Sequence, residues 1–148
     1  MDYEVVRAGL EQAIPFNQHV GLEVLEVGAG TGSVRLPEEP HLQNHVGSQH
    51  AGALFSAGEA ASGAAFVGAF AEHLGGLTPL AKSATIEYLK LAKGPITATG
   101  TLERDVAELM SEVESSGRAE FPISVSLADG EGTEVARMTV DWHIRASS

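Results

Sequence analysis

The stretch from Gly52 to His73 constrains the fold more than any other part of this 148-residue chain. It consists almost entirely of Ala, Gly, Leu, Phe and Val, and Gly75-Gly76 follows it as a helix C-terminal stop. Glu59 is its one charged residue before Glu72. Because an ionisable residue at mid-membrane is unfavourable and Ala and Gly are only weakly apolar, we predict a helix wrapped by a sheet and not a membrane span.

Three glycines lie within this predicted helix, at positions 58, 63 and 68. Glycine is a poor helix former, but it lacks a Cβ atom. We therefore expect Gly58, Gly63 and Gly68 to let strands approach the helix backbone closely.

Hydrophobic periodicity predicts two more helices and six strands in the rest of the chain. Residues 118–128 and 133–145 alternate between apolar and polar positions, and Asp129-Gly130-Glu131-Gly132 joins them as a hairpin. The order of elements predicts one α+β domain spanning residues 1–148, with an antiparallel sheet and one central helix. The other predicted elements are a helix at 4–14 that ends at Pro15, strands at 20–27, 32–37, 81–91 and 95–104, and a short helix near 106–113.

Composition excludes several functional classes. The formal net charge of −11 argues against nucleic-acid binding, which requires a basic surface. The chain has no cysteine, which excludes disulfides and thiolate chemistry. His41, His45 and His50 lack the spacing of a metal site, so we expect no metal. Met1 to Phe16 does not resemble a signal peptide, so we expect a cytoplasmic protein.

All three lysines of the chain fall within twelve residues, at Lys82, Lys90 and Lys93. In an acidic protein such a cluster is typical of an anion-binding site. Solvated lysines along the edge of a sheet explain it equally well.

Glu59 is the strongest candidate for chemistry. One helical turn away lie Phe55, Ser56, Ser62 and Gly63. Such surroundings disfavour an ionised carboxylate, and the raised pKa that we expect suits a general acid or base. Alternatively, Glu59 lies on a narrow solvent-facing stripe of the helix.

Polar residues precede the predicted helix, from Asn44 to His50. The first N–H groups of a helix have no intrahelical partner and lie at its positive dipole end. They therefore form a natural site for an oxyanion. For each histidine alone, a capping or loop role is the alternative.

The run Asn44-x-x-Gly47-x-x-His50-Ala51-Gly52, with Glu59 nine residues after the histidine, resembles the signature of hotdog-fold acyl-CoA thioesterases of the phenylacetate-pathway type. Further resemblance lies in Pro15 to Val24, similar to the family's opening strand, and in Glu87 to Ala92, similar to its central strand. Ala51, Glu59 and Leu91 stand where the family usually has Gly, Asp and Pro.

The resemblance implies a role for each matched residue. Glu59 would act as general base or nucleophile, and the N–H of Ala51, helped by that of Gly52, would be the oxyanion donor. Asn44 would position water or substrate, and His50 would orient the loop. A homodimer or homotetramer is implied, in which residues 81–88 of the partner complete the site. Lys82, Lys90 and Lys93 would bind the phosphates of coenzyme A, which is part of the substrate, so no cofactor is expected.

Two other functions fit the same residues. One is a non-catalytic acyl-CoA binding module. The other is a 3-hydroxyacyl-thioester dehydratase that uses His45 and Glu59, which have the fourteen-residue spacing of that class. The stretch from Gln49 to Leu54 lacks the proline that a dehydratase loop needs.

Overall fold

The computed structural model describes residues 1–148. It contains four α-helices and six β-strands, connected by turns and by two single-turn 3-10 helices at Pro40–Leu42 and Leu74–Gly76. The helices are α1 (Tyr3–Ala13), α2 (Pro15–Val20), α3 (Ala51–Ala69) and α4 (Val106–Ser116); the strands are β1 (Glu23–Gly28), β2 (Thr31–Leu36), β3 (Leu77–Tyr88), β4 (Ile96–Thr101), β5 (Arg118–Ala128) and β6 (Glu134–Ala146).

The six strands form one sheet in the order β1-β2-β4-β5-β6-β3, and every neighbouring pair is antiparallel. Helix α3 packs against β1, β2, β4, β5 and β6, and the end of β3 reaches its first residue through Tyr88. Alternate residues of β5 and β6 point towards the helix and are buried. The predicted α+β architecture, an antiparallel sheet around one central helix, is confirmed. None of the helices is both long and apolar enough to cross a bilayer.

The small residues of α3 allow the sheet to lie against its backbone. A Cβ atom on Gly58 would stand 2.6 Å from the sulfur of Met138, and one on Gly68 would overlap the carbonyl of Gly28. The predicted close approach of a strand to the helix backbone is therefore confirmed at Gly68, whereas the neighbour of Gly58 is a strand side chain. The prediction is wrong at Gly63, where an added Cβ would meet nothing within 4 Å.

The N-terminal segment differs from the prediction. Pro15 ends α1, as expected, but it also begins α2, because proline is well suited to the first helical position. The segment from Pro15 to Val24 was predicted to resemble the family's opening strand. This resemblance therefore holds only from Glu23 onwards, where β1 begins. Helix α3 ends at Ala69, four residues before the end of the apolar stretch.

Strand β3 forms one edge of the sheet, with β6 as its only neighbour. Every residue of this strand except Leu77 and Ile86 is exposed. Leu80 and Tyr88 are among the large side chains left open to solvent. An edge of this length with unpaired backbone groups is a surface on which another strand can pair.

Candidate functional site

Glu59 borders an apolar cavity. The cavity has a volume of about 240 Å³, and ten of its fifteen lining residues are hydrophobic. Its walls come from one side of α3, from the N-terminal segment with α1 and α2, and from residues of β1, β2, β3 and β6. The Glu59 carboxylate is half-buried and makes no hydrogen bond or ion pair within the chain. Burial raises the pKa of this carboxyl group.

The other carboxylate at the cavity is neutralised. Glu11 accepts hydrogen bonds from the Arg7 guanidinium at 3.1 Å and from the backbone N–H of Val24 at 3.0 Å. These contacts hold α1 against β1 and leave Glu11 occupied. Glu59 is therefore the one carboxylate of the cavity that is free to bind a proton or to act on a ligand.

An aromatic cluster forms one wall of the cavity. The ring of Phe66 stacks on that of Trp142, with centroids 4.8 Å apart and planes within 6° of parallel. Trp142 Nε1 donates a 3.3 Å hydrogen bond to Ser62 Oγ, which in turn donates to the Glu59 carbonyl at 2.7 Å. This chain of contacts fixes the indole ring relative to the helical turn that carries Glu59.

The N-terminus of α3 presents one free backbone donor. His50 is the N-cap, and its Nδ1 accepts a 2.8 Å hydrogen bond from the N–H of Gly52. The N–H of Ala51 has no acceptor within the chain. The sequence predicted that both N–H groups would serve an oxyanion, but the structure leaves only that of Ala51 available. Because Nδ1 accepts, the neutral His50 ring carries its proton on Nε2.

Asn44 organises the turn before the helix. Its Oδ1 accepts from the N–H groups of Val46 and Ser48 at 3.0 and 3.1 Å, and its Nδ2 donates to Ser48 Oγ at 2.8 Å. One N–H of the amide is left without a partner in the chain. His45 lies exposed on the same turn and makes no contact with Glu59.

Two residues that the sequence did not mark as functional hold the helix start in place. Tyr88, at the end of β3, donates its hydroxyl to the carbonyl of Ala51 at 3.0 Å. The buried Gln49 donates to the carbonyls of Pro37 and Gly94 at 3.0 and 2.9 Å, and its own side-chain carbonyl has no partner. Tyr88 and Ala51 lie 37 positions apart in the chain, so the sequence does not predict their contact. The one signal was that Tyr88 belongs to the strand that resembles the family's central strand.

A second, open groove of about 400 Å³ lies at the N-terminus of α3. It is lined by Phe16 and Val20 of α2 on one side and by His50, Gly52 and Ser56 on the other. Helix α2 therefore lies between this groove and the cavity, since Asn17 of the same helix lines the latter. The arrangement provides an exposed approach at the helix start and an apolar chamber at Glu59.

The three lysines do not form a single cluster. Lys82 extends over the outer face of the sheet, where its ammonium pairs with Glu120 at 2.9 Å. Lys90 and Lys93 lie exposed after the end of β3 and have no ion-pair partner. No three His, Asp or Glu side chains lie close enough together to hold a metal ion.

Comparisons with known proteins identify the family and the fold. Residues 3–144 match a family described as a domain of unknown function, DUF4442. The structure of the Pseudomonas aeruginosa protein PA5026, described as a probable thioesterase, is 30% identical with a TM-score of 0.88, and the match covers 97% of this chain and 95% of that one. No curated protein matches the chain.

More distant structures share the fold. The PaaI protein of the Escherichia coli phenylacetic acid degradation operon is 17% identical, with 97% of this chain and 93% of that chain covered at a TM-score of 0.74. A hypothetical thioesterase from Streptococcus pneumoniae is 20% identical, with coverage of 86% and 93% and a TM-score of 0.67. The chain thus belongs to the DUF4442 family, within the superfamily of hotdog-fold thioesterases.

Proposed function

We propose that the protein hydrolyses acyl-CoA thioesters, with Glu59 as general base or nucleophile and the Ala51 N–H as oxyanion donor. The observation that carries this proposal is the half-buried, unpartnered Glu59 carboxylate, whose pKa is raised beside an apolar cavity. A carboxyl group tuned in this way is suited to proton transfer near neutral pH. The similarity to a probable thioesterase at 30% identity supports the reaction class.

In the general-base form of the reaction, Glu59 removes a proton from water as the water oxygen attacks the thioester carbonyl. The carbonyl oxygen gains negative charge and is stabilised by the N–H of Ala51 and by the positive end of the α3 dipole. The C–S bond then breaks, and Glu59 returns the proton to the departing thiolate. The products are a carboxylic acid and the free thiol of coenzyme A, and no cofactor is consumed.

The position of the two groups on α3 supports a site shared between two protomers. Ala51 and Glu59 are eight residues apart, which separates them by about 12 Å along the helix axis and by about 80° around it. A nucleophile and an oxyanion donor must both approach one carbonyl group to about 3 Å. Two copies of α3 satisfy this requirement more directly than one, with the N-terminus of one helix near Glu59 of the other.

The edge of the sheet supplies a surface for this assembly. Pairing of β3 with its own copy would satisfy the exposed edge and form a two-fold symmetric homodimer. Tyr88 lies on this strand and contacts Ala51, so such pairing would place the helix start close to the interface. A homodimer is the smallest assembly that completes the site, and a homotetramer built from two dimers would retain it.

Lys90 and Lys93 are the proposed contacts for the phosphates of coenzyme A. Both ammonium groups are exposed and unpaired, and both follow the strand that ends beside the α3 N-terminus. Lys82 is less available because Glu120 already neutralises it. The sequence alone had grouped the three lysines together.

No observation favours the dehydratase: His45 is exposed on the turn before α3, and the stretch from Gln49 to Leu54 lacks the proline of that class. The non-catalytic binding module uses the same cavity and differs only in turnover. A thiol-release assay with a panel of acyl-CoA substrates separates the two, since only the hydrolase releases free coenzyme A.

The decisive variant is Glu59→Gln, which keeps the shape of the side chain and removes the base. We expect kcat to fall by about two to four orders of magnitude, while acyl-CoA binding persists. Glu114→Gln is the matched control, because it makes the same change on an exposed position of α4. A Glu59→Gln variant with most of the wild-type activity would exclude the mechanism, and a wild type that binds acyl-CoA without turnover would leave the binding module.

A further inference from the structure

The cavity beside Glu59 indicates which acyl groups the protein accepts, provided that the proposed hydrolysis is correct. Its walls combine one side of α3 with Leu10 and Ile14 of the N-terminal segment and with Val24 and Val34 of the sheet. All of these residues belong to one protomer. The same chain therefore supplies both these walls and Glu59.

The cavity offers no charged partner to an acyl group. No Lys, Arg or His lines it, and its second carboxylate, Glu11, is held by Arg7 and by the backbone of Val24. Asn17 contributes the one amide of the lining. A second carboxylate on the substrate would face Glu59 without a counter-ion, so the chamber selects neutral acyl groups.

The length of the chamber is limited. The stacked rings of Phe66 and Trp142 form a wall that the hydrogen bond from Trp142 to Ser62 holds in place. The volume of about 240 Å³ lies below the range of about 300–1,000 Å³ that is typical of pockets for drug-sized ligands, so the chamber suits a short or medium acyl chain and not a long one.

Gly63 provides an independent observation. It lies in the middle of α3, where glycine is unfavourable, yet no strand approaches it and an added Cβ would meet nothing within 4 Å. Gly58 and Gly68 in the same helix are accounted for by close packing, whereas Gly63 lines the cavity. The space that a side chain would fill at this position is therefore part of the chamber.

We propose that the substrates are CoA thioesters of neutral acyl chains of about six to eight carbons, and that Gly63 sets this range by keeping the chamber open. Leu10 and Ile14 form the opposite wall, which belongs to the N-terminal helices. Side chains introduced at Gly63 shorten the accepted chain, and truncation of Leu10 or Ile14 lengthens it.

The test measures kcat/KM for straight-chain acyl-CoA substrates from two to sixteen carbons. The wild type is expected to prefer six to eight carbons and to lose at least about ten-fold in kcat/KM beyond ten. Gly63→Leu fills the chamber and also improves helix propensity, so folding should be retained. We expect this variant to lose at least about ten-fold with octanoyl-CoA and to stay within about two-fold with acetyl-CoA.

Gly9→Leu is the matched control, because Gly9 lies on the exposed face of α1, also has open space around it, and does not line the cavity. It should leave the chain-length profile unchanged. A wild-type preference for fourteen to sixteen carbons, or a Gly63→Leu variant with an unchanged profile, would overturn the proposal.

Binding measurements separate this inference from the hydrolysis itself. Calorimetry with a non-hydrolysable octanoyl-CoA thioether should show binding to the wild type and to Gly9→Leu and at least about ten-fold weaker binding to Gly63→Leu. If the wild type hydrolyses no thioester but shows this pattern, the reaction is wrong and the acyl chamber stands. If it hydrolyses thioesters without this pattern, the reaction stands and the chamber is wrong.

Discussion

Glu59 is a carboxylate whose ionised form nothing in the protomer stabilises. It has no hydrogen bond and no cation near it, and the second carboxylate of the cavity, Glu11, is already paired. The fold therefore tolerates an unfavourable group at this position. Such a group is typical of a functional site, where stability is exchanged for reactivity.

The raised pKa of Glu59 makes a prediction about stability. Below the ordinary pKa of a glutamate both folded and unfolded chains carry a protonated Glu59, so the residue causes no difference. As the pH rises from the ordinary pKa to the raised one, the unfolded chain ionises first and the folded state loses stability, and the loss is complete above the raised pKa. Glu59→Gln should therefore raise the melting temperature by a few degrees at about pH 8 and leave it unchanged at about pH 4. Equal melting temperatures at both pH values would show that Glu59 is solvated as an ordinary surface residue is.

The activity should depend on the same ionisation of Glu59, but it should rise with pH where the stability falls. In the proposed mechanism only the ionised carboxylate acts as base or nucleophile, so kcat/KM is expected to rise with pH through the raised pKa of Glu59. The ascending limb should therefore lie at a higher pH than for an ordinary glutamate. A profile that is flat across this range would show that another group limits the rate.

Tyr88 is predicted to position the oxyanion donor. Tyr88→Phe removes the hydroxyl that holds the Ala51 carbonyl at 3.0 Å. Because the side chain is largely exposed, the loss of stability should be at most about 1 kcal/mol. We expect kcat to fall about three- to ten-fold with little change in KM. Tyr3→Phe alters the only other tyrosine of the chain and is the control; equal kcat values for the two variants would assign Tyr88 a purely structural role.

At the scale of helices and strands, local patterns predicted most of the fold. Strand β5 occupies residues 118–128 as predicted, because its apolar and polar residues alternate without interruption. Helix α2 could not be predicted, since Pro15 both ends one helix and permits the start of another. The position of Gly63 at the cavity could not be predicted either, because the sequence does not show which side of α3 faces the sheet.

The candidate site was predictable only in part for the same reason. The motif from Asn44 to Gly52 located the helix start, and the isolated charge located Glu59. The cap that His50 forms on Gly52 depends on a side-chain rotamer, and the contact from Tyr88 depends on the tertiary arrangement of β3. Neither follows from spacing along the chain.

The segment after β3 is predicted to bind coenzyme A through its lysines. Lys90→Ala and Lys93→Ala should each raise KM by about two- to five-fold, as expected for an exposed contact to a phosphate, and leave kcat nearly unchanged. The effect should shrink at high salt because exposed charges are screened. Lys82→Ala serves as the comparison, since its ammonium is paired with Glu120. If KM is unaltered in all three variants, these lysines are solvated residues of the sheet edge.

At the scale of the whole molecule, the exposed β3 edge and the separation of Ala51 from Glu59 point to the same assembly. A protomer has a cavity and a free carboxylate, but the N–H of Ala51, the proposed oxyanion donor, lies about two helical turns away on the same helix. A two-fold symmetric dimer contains two such helices and so two equivalent composite sites. Light scattering should give at least twice the protomer mass of 15.4 kDa, and a stable monomer at micromolar concentration would exclude this assembly.

Mixed dimers test directly whether the two groups come from different protomers. Ala51→Pro removes only the free N–H, because proline is favoured at the first helical position and His50 already has the extended conformation that precedes proline. Ala51→Pro and Glu59→Gln should each be nearly inactive as homodimers. When they are co-expressed in equal amounts, half of the dimers are mixed, and each mixed dimer contains one site with both groups intact. Activity should therefore return to about one quarter of the wild-type value. If each site were built within one protomer, no mixed dimer would contain an intact site, and the co-expressed pair would stay inactive.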